Sequence, residues 1–164
     1  MIEFYKAIGK LRILGKGIVA MRLHVKNYQD LSRDELYDIC RVRMETFIVE
    51  QGLNYVDLDE QDCSSIHVWM TDEQGIQAYL RIFLLDTKEA SLGRVLTRRR
   101  GQGLGKDILR AGLEAIKEHY QVETVRIHAQ AYVQELYAKE GFVPSSELFL
   151  EEGIEHIEMV LDLT

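Results

Sequence analysis

The chain has 164 residues and a formal net charge of −7 at pH 7, with 46% hydrophobic and 29% charged residues. That length suits one domain with a real core, the composition is that of a soluble globular protein, and no apolar run approaches the ~20 residues a membrane span needs. The negative total disfavours nucleic acid and anionic lipid as partners unless a local patch overrides it.

Cys40 and Cys63 make no disulfide framework, and without a CxxC or Cys/His cluster no metal is expected. A reducing, cytoplasmic setting follows. The first twenty residues, MIEFYKAIGKLRILGKGIVA, break their apolar stretches with Lys, Arg and Gly, so no signal-peptide core forms. Met21 then precedes an alternating MRLHVK. Residues 1–20 are read as an N-terminal extension and 21–164 as the domain, an arm packed on the domain being the alternative.

LSRDEL starts a helix: Ser32 caps, Glu35 reaches back, and Leu31 and Leu36 stand at staple positions, with Ile39, Cys40 and Phe47 continuing the apolar face. Cys40 therefore reads as a core residue. The acidic stretch that follows carries Asp57, Asp59, Glu60 and Asp62 and reads as a solvated loop or a lure for a cationic acceptor. IHVWMT and IQAYLRIFLL, joined by DEQG, form an antiparallel hairpin with Ile76, Ala78, Leu80, Ile82 and Leu84 on one face. Arg81, and Arg94 in the next strand SLGRVLT, are costly to bury unpaired, so a carboxylate of the 57–62 stretch or of the substrate is a candidate partner, although for Arg81 a strand-surface arginine is the favoured reading. Gly93 marks a bulge in that strand.

RRRGQGLGKDIL, residues 98–109, joins this strand to a helix whose stripe is Leu104, Ile108, Leu109, Gly112, Leu113 and Ile116. A glycine-rich turn at a helix N-terminus exposes backbone N–H groups and the positive end of the helix dipole, which makes it an anion cradle. Arg100 and Lys106 add charge, and the guest carries phosphate. A dinucleotide fingerprint fails at Lys106, and a Walker loop fails because Asp107 follows the lysine. What remains is Arg-x-x-Gly-x-Gly, set by Arg100, Gly103 and Gly105. Reading Arg98–Arg100 as a nucleic-acid patch is the weakest option. TVRIHA then reads as a strand parallel to the earlier one, YVQELYAKEG as a short helix ended by Gly141, and the tail as two strands turning at Glu152–Gly153.

RGQGLGKDIL resembles the diphosphate-binding motif of the GCN5-related N-acetyltransferase (GNAT) superfamily, and AQAYVQELYAKEGFVP resembles its later motif Tyr-x-x-x-Gly-Phe, here Tyr137, Gly141 and Phe142. FIVEQGLNYVDLDEQD, AYLRI, GRV and EEGIEHIEM are similar to the ElaA-like subgroup, over about residues 22–163. The resemblance implies an α/β GNAT fold: a central mixed, mostly antiparallel β-sheet with splayed parallel central strands, flanked by helices. It implies acetyl-CoA as co-substrate, held by Val95, Leu96, Thr97, Arg100, Gly101, Gln102, Gly103, Leu104, Gly105, Lys106 and Gln130, the last near a place where many relatives carry Asn.

A primary amine with pKa near ~10.4 is about one part in a thousand neutral at pH 7, so deprotonation costs roughly 4–5 kcal/mol before it attacks a thioester. The departing thiolate also needs a proton. By resemblance Tyr137 supplies it. Glu50, His67 and His156 are the candidate bases; Glu50 and Gln51 alternatively shape the acceptor pocket, Arg94 binds substrate or a carboxylate, and His128 is structural. Neither cysteine has a visible base partner, so direct transfer to an amine in a ternary complex is expected, with a non-catalytic acyl-CoA-binding module as the rival. The amine acceptor, small molecule or peptide, stays open, and an exposed edge strand makes a homodimer reasonable.

Overall fold

The computed structural model describes residues 10–14 and 17–164. In chain order the strands are β1 (Lys10–Leu14), β2 (Gly17–Asn27), β3 (Ile66–Asp72), β4 (Gly75–Leu84), β5 (Glu89–Thr97), β6 (Thr124–Gln130), β7 (Val143–Pro144), β8 (Phe149–Glu151) and β9 (Ile154–Asp162). The α-helices are α1 (Arg33–Arg43), α2 (Leu104–His119) and α3 (Gln134–Ala138). The strands form one sheet in the order β1-β2-β3-β4-β5-β6-β9-β7, with β8 also paired to β9. Only β5 and β6 run parallel among these pairs. β2 runs through the boundary expected at residues 20 and 21, and β1 pairs along it; the rest of the expected extension, residues 1–9 and 15–16, lies outside the described residues.

The start of α1 follows its sequence. Glu35 N–H donates to Ser32 Oγ at 3.1 Å and Ser32 N–H donates to Glu35 Oε2 at 2.9 Å, which satisfies two helix-end donors reciprocally. α1 then passes into a π-helical stretch, Met44–Glu50, which the apolar pattern alone does not announce. The hairpin of β3 and β4 forms as expected, closing at Asp72 and Gly75. Its apolar face is shorter than the alternation suggests. Met70 pairs with Ala78 and Thr71 with Ile76, so one extra residue on β4 turns Ile76 to the opposite face, where it packs beside Tyr79, and Leu84 ends exposed.

Helices cover both faces. On one side α2 packs against Val68, Leu80, Ile82, Val125 and Ile127; on the other, Ile39, Val42 and Phe47 pack against Trp69, Tyr79 and Leu96. Gly112 permits the close seating of α2, because a Cβ there would stand 2.8 Å from Leu80 Cδ2. The short helix predicted over YVQELYAKEG is an initial 3-10 turn, Ala131–Val133, followed by α3. The turn between β8 and β9 falls at Glu152 and Gly153, both at positive φ (50° and 79°), the twist a two-residue hairpin favours.

The decisive irregularity lies in mid-sheet. β5 and β6 pair only at Glu89↔Thr124 and Ala90↔Val125, although the strands continue to Thr97 and Gln130. Beyond that point β5 follows β4, and its register slips between the pairs Tyr79↔Leu96 and Arg81↔Gly93. The bulge expected at Gly93 sits one residue on, where Arg94 takes a left-handed φ of 55°. The expected splayed mixed sheet is the fold observed. Among the described residues no helix is long and apolar enough to cross a membrane.

Replacing Ser32 by Ala removes the cap of α1. The expected loss is about 1 kcal/mol, read as a fall in Tm of roughly 2–4 °C by calorimetry.

Candidate active site

The divergence of β5 from β6 opens a cavity of about 640 Å³ that passes between the two strands. Strand alternation gives it two unlike halves. Towards α2 its wall is apolar: Leu92, Val95, Ile127, Val133, Leu136 and the ring of Tyr137. Towards α1 it is polar and aromatic, with Gln51, Tyr55, Arg81, Arg94, Arg126, His128, Gln130 and His156 beside Phe47 and Phe83.

At the end of β5 the glycine loop is built as the spacing requires. Arg98 N–H donates to Gln77 O at 2.9 Å and Asp107 N–H to Gly103 O at 3.2 Å. Between them, the N–H groups of Gly101, Gly103, Leu104, Gly105 and Lys106 have no backbone acceptor among the described residues. Gly101 and Gly103 both take φ of 73°, and Gly103 stands at the N-cap of α2. A Cβ on Gly105 would meet Leu136 Cδ2 at 3.4 Å, so α3 sits close over the loop. Outward-facing donors at a 16-residue helix's positive end, flanked by Lys106, fit a diphosphate. Val95, Leu96, Thr97 and Arg100 also line the cavity, whereas Gly101, Gln102, Gly103, Gly105 and Lys106 stand beside it. The Leu104 side chain is in the core, so only its backbone N–H is offered to a ligand.

The three arginines do not form a free basic patch. Arg98 pairs with Glu45 at 3.2 Å, Arg99 with Asp72 at 3.1 Å and Arg100 with Glu50 at 2.5 Å. The Arg100–Glu50 pair is solvent-exposed and so is worth little, which leaves Arg100 ready to exchange its carboxylate for a phosphate.

Tyr137 lies on α3 against the cavity, its ring edge-on to Phe142 at 5.8 Å between centroids. Burial, and secondarily the neighbouring Tyr132, push its phenol well above the ordinary tyrosine range, so it keeps its proton at neutral pH. Its hydroxyl makes no hydrogen bond to a described side chain. A proton donor at the cavity wall is thus available.

The structure separates the candidate bases. His67 is fully buried on the α1 face of β3, opposite Arg81 but outside the cavity lining; its Nε2–H donates to Asp62 O at 3.0 Å and its Nδ1 accepts from Tyr79 Oη at 2.8 Å. Burial lowers its pKa, so it is a neutral structural histidine, which corrects the expectation that it serves as a base. Glu50 is exposed, engaged with Arg100 and absent from the lining, while its neighbour Gln51 lines the cavity. His156 lines the cavity and is nearly buried. Its Nδ1–H donates to Ile154 O at 2.9 Å, and a carbonyl accepts only, so Nε2 is left as the basic nitrogen. His128, read from sequence as structural, also lines the cavity.

Two members of the acidic stretch, Asp57 and Asp62, are buried, and with the exposed Asp59 they are committed to arginines, while Glu60 stays exposed. Arg43 donates to Asp57 at 2.9 Å and to Asp62 at 2.6 Å. Arg81 donates to Asp62 at 2.7 Å and to Asp59, and Arg94 pairs with Asp57 at 2.7 Å and Asp59 at 3.3 Å. The pairing of Arg94 with this stretch is therefore present, and Arg81, favoured from sequence as a strand-surface arginine, is instead buried and paired there too; Arg94, though it lines the cavity, has its guanidinium committed. Arg43 was not singled out in the sequence. The signal was there: it stands four residues after Ile39 and four before Phe47, on the apolar stripe of α1, where an unpaired charge is not tolerated. Hydrogen bonds from Arg81 hold Asp59 below the usual carboxylate range; burial pushes Asp62 upward, but hydrogen bonds from Arg43 and Arg81 outweigh it and hold that group low too. Burial and then Asp57 push Tyr55 up to about 12.

A family model described as an acetyltransferase (GNAT) domain matches residues 33–163. A UPF0039 protein of Synechocystis sp. is 36% identical over 140 residues, covering 82% of this chain and 91% of its own. Protein ElaA of Escherichia coli is 32% identical over 145 residues, covering 84% and 94%, and its crystal structure superposes with a TM-score of 0.81 at 29% identity, covering 87% and 99%. The crystal structure of an acyl-CoA N-acyltransferase from Pseudomonas aeruginosa superposes with a TM-score of 0.80 at 32% identity, again covering 87% and 99%.

The ion network sets the response to substitution and acid. Asp57→Asn leaves Arg43 and Arg94 short of a charge in a buried place and is expected to cost about 3–5 kcal/mol in urea unfolding. Because the carboxyls of Asp59 and Asp62 titrate lower when folded than unfolded, their contribution is complete above pH ~3.9 and is lost as pH falls through their folded values. The neutral, buried His67 and half-buried His24 add an earlier decline below pH ~6.5, since only the unfolded chain takes up those protons readily. A two-stage fall of the urea midpoint with pH is the expected outcome.

Proposed function

The chain belongs to the acetyltransferase (GNAT) family of acyltransferases, and from that premise we propose that it is an acetyl-CoA-dependent N-acetyltransferase, moving acetyl to a primary amine by direct attack in a ternary complex. The observation that carries the reading is the cavity itself: a phosphate-type cradle at one end, an apolar sleeve through the sheet, and a proton donor and a proton acceptor in its walls.

The loop N–H groups of Gly101 to Lys106, with Arg100, would hold the diphosphate, and Val95, Gln130, Val133 and Leu136 would line the pantetheine arm. Bound acetyl-CoA supplies a thioester carbonyl as electrophile and a thiolate as leaving group. The chain's residues supply the two proton steps. His156 Nε2, the nitrogen left basic by the Ile154 carbonyl, takes a proton from the amine on the α1 side. Tyr137, held protonated by burial on the α2 side, gives a proton to sulfur. Their placement on the two faces of the sheet matches the two ends of the reaction: the amine enters from one and the thiol leaves by the other. The polar α1 half suits an amine acceptor, small or peptidic.

Calorimetric titration with acetyl-CoA is expected to give binding that ATP and NAD do not reproduce, and an amine panel is expected to release thiol. Tyr137→Phe should then lower the rate about 100-fold or more with acetyl-CoA affinity within about twofold. Binding of acetyl-CoA with no thiol release from any amine would instead favour a binding module without catalysis.

A further inference from the structure

We infer that Glu151 couples His156 to His128 in a chain that carries the amine's proton from the cavity to solvent, an assignment that rests on the acetyltransferase reading above. Three observations meet here. Glu151 Oε2 lies 3.9 Å from His156 Nε2 and 3.3 Å from His128 Nδ1, so one carboxylate oxygen faces both rings. Phe149 packs on both imidazoles, edge-on to His128 at 5.1 Å and stacked on His156 at 6.1 Å, which restrains the rings about that oxygen. Finally, the exposures form a gradient: the His156 side chain is 11% accessible, while those of Glu151 and His128 are 45% and 46%.

The proton balance requires such an exit. An amine that enters as ammonium and leaves as amide gives up two protons. One ends on the thiol by way of Tyr137. The other arrives on His156 Nε2, whose partner nitrogen is tied to Ile154 O, so the imidazolium can discharge only through Nε2, towards Glu151. Glu151 stabilises that imidazolium while it lasts and hands the proton to His128, which meets water. The charged groups packed about this chain are Glu152 in the turn, Glu158 on β9 at 3.7 Å from His128 Nε2, Arg126 on β6, and Glu89 on β5. Arg126 is spent on Glu89 and Glu158, so no free cation competes with the imidazoles for Glu151. By acting through His156, Glu151 is a positioning residue.

The test combines a readout without turnover and one with it. In the free protein, imidazole titrations followed by NMR, assigned with His156→Gln and His128→Asn, are expected to show the His156 midpoint falling by about 0.5 unit or more in Glu151→Gln, since the imidazolium loses its carboxylate. In thiol release with an amine from the panel, the same variant is expected to shift the acidic limb of the pH–rate profile to lower pH and to lower the plateau about tenfold, with Glu151→Asp restoring part of both. His128→Asn, at an exposed position, should slow turnover and be rescued by added imidazole. If Glu151→Gln moves neither the His156 titration nor the limb while wild type turns over, the coupling is wrong and the acetyltransferase reading stands. If the titrations move but wild type releases no thiol with any amine, the proton-exit role falls together with that reading.

Discussion

Asp57 ties together three parts of the chain on the α1 side through one buried carboxylate. Its carboxylate receives Arg43 from α1 and Arg94 from the bulge of β5, and Tyr55 from its own segment. Asp62 and Asp59 extend the ties to Arg81 on β4. Three arginines and three aspartates cancel in charge, and their desolvation cost makes such a network a poor source of net stability compared with apolar packing. What it supplies is position. A left-handed Arg94 is strained, since φ near 55° is unfavourable for a residue with a side chain. Its guanidinium is held on Asp57, and the bulge is held with it. The bulge keeps β5 on β4 and off β6, so the cavity between the parallel strands depends on an ion network lying to one side of it.

That arrangement also decides what the cavity offers. Four arginines line it, which would suggest an anionic guest throughout. Arg81, Arg94 and Arg126 are consumed by carboxylates, and only Arg100, in an exposed pair beside the glycine loop, is cheaply released. Attraction for phosphate is thereby confined to the loop end. The α1 half presents imidazoles, Gln51 and the carboxylates of Glu151 and Glu152, which suit an amine rather than an anion.

Features specified by neighbours in sequence were legible in advance. Ser32 and Glu35 lie three residues apart and satisfy each other. Asp72 to Gly75 closes a hairpin that its flanking strands dictate, and the glycines of 101–105 serve a local turn. The seat of Tyr137 against Phe142 was legible through the Tyr-x-x-x-Gly-Phe spacing. Features specified across the sheet were not. Whether a histidine in an apolar strand is a base or a core residue depends on what stands opposite, and for His67 that is Tyr79 and the carbonyl of Asp62. The place of His128 on the cavity wall was hidden for the same reason, because its partner Glu151 arrives from a strand 23 residues away. The acidic stretch read as a solvated loop because charge runs usually are; the three arginines that engage Asp57, Asp59 and Asp62 come from α1, β4 and β5.

Ile76 and Arg94 illustrate a further limit. Each sits where one extra residue interrupts strand alternation, and a slip of one residue exchanges the two faces of a sheet. Both slips lie on strands bordering the cavity, and in neither case does the residue pattern reveal which neighbour pulls the strand out of register. In β5 the neighbour is the Asp57 carboxylate. A site of this kind is therefore written twice: in local motifs that a reader of the sequence can recognise, and in long-range ion pairs that set the strand spacing on which those motifs act.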